Sequence, residues 1–416
     1  MVFSSLIFIF FFLPPLLVLY FLTPKKYNNV RNLILIFFSL FFYAWGEPIF
    51  VLAMIVSTII DYTAGWFIGE SLLQNNKKRA KKFLLMSVVA NLSLLGFFKY
   101  SDFIISTING LLGLNIPLLN LPLPIGISFY TFQTMSYSID VYRGVVKRQK
   151  SFLKLLLYTT LFPQLVAGPI VRYQTVENQI EHRTITFDKF SRGCIRFIIG
   201  LAKKIIIANR MAAIADYVFG LPASEIAVLT SWLGIIAYTF QIYFDFSGYS
   251  DMAIGLGRMF GFEFEENFNY PYISNSISEF WRRWHMSLGV WFRDYVYFPL
   301  GGSRVDTKFQ LYRNLFIVWF LTGLWHGASW NFAVWGIYYF LLLAIEKTFI
   351  KKKPKEYSPF KNLIVMIFVI IGWVFFRVED LSEAIIYIRN MFMLQGTPLT
   401  DYNTSFYFVG RLREFI

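Results

Sequence analysis

A series of long apolar runs fixes what this chain can fold into. Ser4–Leu22, Asn32–Trp45, Phe83–Phe98, Ile226–Phe244, Tyr312–Leu324 and Leu363–Phe376 hold almost no charged residues. A helix needs about 20 such residues to cross the hydrocarbon core of a bilayer, and fewer where its ends sit at headgroup level. By that rule the sequence predicts roughly ten to twelve membrane segments, several of them short, broken or re-entrant. Charged residues make up only 15% of the chain, against about 25% in soluble domains. The expected class is an all-α, polytopic integral membrane protein. It is expected to form one transmembrane domain over residues 1–416, because no linker long enough to separate domains is visible. No internal repeat is evident, which argues against a repeat-built transporter.

The net charge of +14 follows the same logic. Lys25, Lys26 and Arg31 follow the first apolar run, and the clusters Lys77–Lys82 and Arg143–Lys150 each come two spans later. Basic residues collect on the cytoplasmic side, so the N-terminus is expected outside the cytoplasm of a multi-pass chain. The first residues carry no basic start and no small-residue cleavage site, which predicts a retained helix. The partner implied by these clusters is the lipid bilayer, not nucleic acid. A single cysteine, Cys194, excludes a disulfide framework and is expected to pack.

No phosphate loop, zinc helix or nucleophile elbow occurs, and three scattered histidines with one cysteine give no metal set. The informative residues are polar ones inside apolar runs, where they are costly and mark function by default. His326 lies in GLWHGASWNF. On a continuous helix it shares a face with Thr322, Gly323, Ser329 and Trp330. Gly323 and Gly327 have the spacing that lets a second helix approach closely. This reading turns the imidazole toward a protein-lined cavity, with a helix-packing histidine as the alternative. His285 lies in a segment, Glu279–Gly302, too polar to span and too aromatic for a soluble loop. As one helix it would share a face with Trp281, Arg282, Leu288 and Gly289. Arg282 and Arg283 then either neutralise an anionic substrate group or reach the headgroups. Asp245 follows an apolar run and either pairs with these segments or caps a helix. His182, in a polar stretch, is expected to be exposed and without a role in chemistry.

Taken together, these segments resemble the membrane-bound O-acyltransferase family, and within it the bacterial branch of alginate and peptidoglycan O-acetylation proteins. The resemblance rests on MVFSSLIFIFFFLP, LFPQLVAGPIVRY, YFDFSGYSDMAIGLGRMFGFEFEENFNYPY, EFWRRWHMSLGVWFRDYVYFPLGG and LWHGASWNFAVWG. It implies that His326 is the active-site histidine and His285 its second histidine. Asn267, Trp281, Arg282, Trp284, Arg293 and Asp294 fall on motif positions. It also implies a ring of helices around a thin centre, with a funnel outside and a tunnel to the cytoplasm. Members of this branch continue beyond the equivalent of residue 416, so a C-terminal helix is expected to be missing here.

The activity implied is acyl transfer from a cytoplasmic thioester, acetyl-CoA, to a hydroxyl presented from outside, with no bound cofactor or metal. Imidazole, with a reference pKa near 6.5, suits a base at neutral pH. His285 would orient the donor or hydrogen-bond the oxyanion, and Arg282, Arg283, Lys203 and Lys204 are candidates for the CoA phosphates. The resemblance places the chain in a bacterial cytoplasmic membrane. The acceptor is an extracytoplasmic polysaccharide, reached through a periplasmic or extracellular partner acetyltransferase. The alternatives are D-alanyl transfer to teichoic acid, a transporter and a non-catalytic scaffold.

Overall fold

The computed structural model describes residues 1–166, 168–350, 357–394 and 396–401, and every regular element among them is a helix. Among the described residues, four helices are long and apolar enough to cross a membrane: Val51–Leu73, Lys77–Leu112, Trp330–Phe349 and Pro359–Arg377. The pair Ile7–Leu22 and Lys25–Ala44, bent by 112°, makes a fifth if it is one broken span. The larger number expected from the sequence includes runs that fold as shorter or more polar helices, such as Lys308–His326. Large apolar side chains such as Phe37, Leu52 and Val89 are exposed, as a lipid-facing surface requires. The C-terminal residues 402–416, where the expectation of a missing helix falls, lie outside the described residues.

Contacts divide the chain into two compact units. The first comprises Met1–Leu201 and Tyr249–Glu266; the second comprises Ala202–Gly248 and the described residues from Asn267 onward. In the first unit, α1 (Val51–Leu73), α2 (Lys77–Leu112) and α3 (Ile127–Arg143) pack together. The Asn76 side chain accepts from the Arg79 amide to start α2, and Gly113, at φ +65°, ends it. Asp61 of α1 is fully buried and accepts from Ser87 Oγ at 2.5 Å, Ser138 Oγ at 2.5 Å and Asn91 Nδ2 at 2.7 Å. Donors from α2 and α3 thus converge on one acidic side chain of α1, which satisfies a polar group that hydrocarbon cannot solvate. Gly65 permits this approach, because a Cβ there would lie 2.7 Å from the Tyr137 ring.

The second unit is built on α4 (Val228–Met259), α5 (Ile277–Arg283), α6 (Met286–Phe292), α7 (Lys308–His326), α8 (Trp330–Phe349) and α9 (Pro359–Arg377). The last turns of α4 belong to the first unit. Thr307 and Gln310 form a reciprocal capping box that starts α7. α7 and α8 make a hairpin in which backbone meets backbone. A Cβ on Gly323 would strike the Phe332 carbonyl, and one on Gly336 would strike the Trp319 carbonyl. Gly372 of α9 receives the Tyr339 hydroxyl in the same way. Around these contacts lies an aromatic core of Phe280, Trp284, Trp335, Tyr339 and Trp373, a large apolar area held by rigid side chains.

Candidate active site

His326 is the last residue of α7. Gly327 is extended, Ser329 stands extended at the N-cap position of α8, and the Phe332 ring packs against Gly327 where any side chain would be. The helix therefore stops at the histidine, and the face expected to carry Ser329 and Trp330 does not exist. Thr322 and Gly323 do lie on the preceding turn and are buried. Ser329 lines a nearby cavity instead, and Trp330 is exposed. The glycine pair works as anticipated in allowing close approach, and its partner is the next helix, α8. The half-buried imidazole lies among rings: Trp325 at 5.0 Å, Phe376 at 5.0 Å, Trp335 at 5.1 Å and Phe332 at 6.5 Å between centroids.

His285 does not sit within a helix. α5 ends at Arg283 and α6 begins at Met286, with His285 between them at φ +46°. A shared face with Trp281, Arg282, Leu288 and Gly289 is thereby replaced by a turn. Such a φ is uncommon outside glycine and persists only where surroundings enforce it. Asn267 supplies the enforcement. Its carbonyl accepts from the Met286 amide at 2.9 Å, and its Oδ1 meets Ser287 N at 3.2 Å, Ser287 Oγ at 2.9 Å and His285 Nδ1 at 3.2 Å. The imidazole is 3% exposed, against Phe246 at 4.7 Å and Trp325 at 5.9 Å. Burial lowers its pKa to about 3, so the ring is neutral at physiological pH.

The remaining candidates separate. Trp281 packs on Trp335 at 5.4 Å, and Trp284 on Trp373 at 4.8 Å, so both shape the aromatic core. Arg283 pairs with Glu279 at 2.8 Å and donates to the Asn269 carbonyl, while Arg282 is exposed. Arg293 and Asp294 pair with each other at 2.8 Å. Asp245 lies in the middle of α4 and binds Lys204 at 2.7 Å. It caps no helix, and its ion pair is with neither histidine segment. His182 is exposed, and Cys194 packs at the edge of the first unit's core. Sequence reasoning missed Trp325, Trp335, Phe246 and Phe376, because an aromatic residue in an apolar run gives no sign of facing an imidazole.

Phe332 and Phe376, which touch His326, also line a cavity of about 690 Å³ with Gln241, Ser329, Arg377 and Glu379. Arg377 at its rim is held by Asp216 at 2.8 Å. The indole N–H groups of Trp281 and Trp335 are buried and have no partner among the described residues. They are donors only and sit in the ring cluster that contacts His326. Among the described residues no group of three or more His, Cys, Asp or Glu side chains is placed to hold a metal ion.

The sequence profile of the membrane-bound O-acyltransferase family matches residues 34–379. The chain belongs to the membrane-bound O-acyltransferase family. This O-acyltransferase is 46% identical over 410 residues to a probable alginate O-acetylase, AlgI, of Pseudomonas aeruginosa, covering 97% of this chain and 77% of that one. It is 33% identical over 433 residues to a peptidoglycan O-acetyltransferase of Helicobacter pylori, covering 96% and 81%. A teichoic acid D-alanyltransferase of Bacillus subtilis is 31% identical over 245 residues, 56% of this chain and 61% of that one. Family membership and the apolar helices make the acyltransferase a multi-pass membrane protein. Both motif histidines belong to its second unit and are brought to a single tryptophan, Trp325.

Proposed function

We propose that this acyltransferase takes an acetyl group from cytoplasmic acetyl-CoA and delivers it to a hydroxyl outside, for O-acetylation of an extracytoplasmic polysaccharide. The observation that carries the reading is the placement of His326 at the end of α7, against the walls of a cavity. Relatives named for alginate and peptidoglycan O-acetylation supply the acyl group and the acceptor class. The direction follows from charge. Lys308 and Arg313 open α7, and the basic cluster 351–355 follows α8, so those ends face the cytoplasm. His326 and Arg377 then lie toward the other side. We place the chain in a bacterial cytoplasmic membrane as a bundle of roughly ten to twelve segments, the shorter helices counted with the long ones.

In this reading the acceptor hydroxyl gives its proton to His326 as its oxygen attacks the thioester carbonyl. The carbon–sulfur bond then breaks, and the thiolate takes the proton back from the imidazolium. Base assistance of this kind contributes about 10²- to 10⁴-fold, so positioning supplies much of the rest. The indole N–H groups of Trp335 and Trp281 are the buried donors we assign to the developing oxyanion. The acceptor is either the polysaccharide or a hydroxyl on a partner acetyltransferase.

The test is transfer from labelled acetyl-CoA by membranes containing wild type or His326→Ala, with mass spectrometry of envelope polysaccharide O-acetyl groups from the same cells. Loss of transfer with unchanged membrane insertion is expected. Transfer at the wild-type rate removes His326 from the chemistry, and transfer of D-alanyl but not acetyl groups reassigns the donor.

A further inference from the structure

Asn267 holds His285 through an atom whose identity the backbone decides. The Ser287 amide can only donate, and it points at the Asn267 side chain at 3.2 Å. That atom must therefore be the oxygen, since exchanging the amide would set nitrogen donor against nitrogen donor. The same oxygen faces His285 Nδ1 at 3.2 Å. An oxygen of this kind accepts only, so Nδ1 carries the proton. Phe246, Trp325 and Asn267, which face the ring, bring no charge to it, and a neutral imidazole with a proton on Nδ1 has a bare Nε2.

We propose that Asn267 is a positioning residue that fixes His285 as the Nδ1–H tautomer, so that His285 meets substrate as a hydrogen-bond acceptor through Nε2. This inference rests on the acyltransfer reading above and sharpens it. The sequence left His285 free to donate to an oxyanion; the tautomer closes that role and leaves donation to the indoles. The group that Nε2 takes up is an O–H or N–H of a substrate, either a hydroxyl of the acceptor or an amide N–H of the acyl thioester's arm. The same residue sets the turn, because its backbone carbonyl takes the Met286 amide while its side chain takes Ser287 and His285. Placement and protonation of one ring are thus controlled from one asparagine.

The 416-residue chain contains three histidines, so ¹⁵N-histidine labelling gives a spectrum that the His285→Phe variant assigns. We expect a protonated Nδ1 and an unprotonated Nε2 for His285; a protonated Nε2 overturns the proposal, whatever His326 proves to do. In activity assays, Asn267→Asp keeps an acceptor oxygen and should stay within several-fold of wild type. Asn267→Leu should lower kcat by about 10²- to 10⁴-fold, the range of acid–base assistance, with a wrong-tautomer histidine at its upper end. Equal loss in both variants, with both inserted and monodisperse, reduces Asn267 to a structural residue and overturns the proposal. His285→Phe distinguishes the two sources, raising the KM of the hydroxyl acceptor or that of the acyl thioester; no change in either KM overturns it.

Discussion

Trp325 lies against both histidines, its ring 5.0 Å from that of His326 and 5.9 Å from that of His285. One buried indole is therefore a common wall for two imidazoles carried on different elements. Trp325→Phe keeps an aromatic wall and should retain most activity. Trp325→Ala leaves a cavity, at a cost of about 3–5 kcal/mol, and should depress transfer strongly. Thermal unfolding in detergent and acetyl transfer, measured together, check both; an active and stable Ala variant would mean that the wall is unnecessary.

Trp335 stands 5.1 Å from His326 and carries a buried N–H with no partner among the described residues. Trp335→Phe removes that donor and keeps a ring. If the indole serves the oxyanion, kcat should fall about 10²- to 10³-fold with little change in KM. A rise in KM alone would assign the ring to substrate packing.

Burial holds His285 at a pKa of about 3, below the ordinary 6.5. Between those values the unfolded chain binds a proton that the folded chain refuses, so stability falls as pH drops below about 6.5. The contribution is fully present above that pH and is lost progressively toward pH 3. The melting temperature of wild type should therefore fall from pH 7 to pH 5 by more than that of His285→Phe. Parallel curves would show that the ring is charged or solvated.

Gly323 and Gly336 let α7 and α8 touch through their backbones. Gly336→Ala sets a methyl against the Trp319 carbonyl, which a rotamer change cannot relieve. The expected cost is about 1–3 kcal/mol of stability, with loss of activity because the displaced partner is α7, the helix that carries Trp319 and ends at His326. A variant with wild-type melting and turnover would show that the hairpin relaxes freely.

The membrane class was legible because hydrocarbon demands uninterrupted apolar helices, and runs such as Leu363–Phe376 can serve little else. Gly323 was legible as a contact for the same reason that a side chain there is excluded. The break at His285 was not. Histidine tolerates the left-handed region better than most residues, but that preference is too weak to place a turn, and the turn is imposed by Asn267, eighteen residues away. Ser329 and Trp330 were misplaced because helical spacing was carried past Gly327, where the packed Phe332 ring ends the helix. Asp245 was open to a capping or a pairing reading because Asp is a common cap, but α4 continues and a lysine 41 positions earlier takes the charge. Residue types reveal local preference and burial; partners supplied from a distance are invisible to them.

The buried acidic side chain of the first unit has a consequence for how the protein is made. As α1 leaves the ribosome it carries Asp61 with none of its partners yet synthesised. Ser87 and Asn91 follow 26 and 30 residues later, and Ser138 comes 77 residues later. A lone Asp at a helix centre costs about 2.5–3.5 kcal/mol on entry into the bilayer. The Val51–Leu73 helix is thus poorly suited to lateral release by itself and is best retained at the insertion machinery until α2 arrives. Asp61 turns the order of translation into an order of assembly. Its replacement by leucine should let α1 partition early while leaving the hydroxyls of Ser87 and Ser138 without their acceptor.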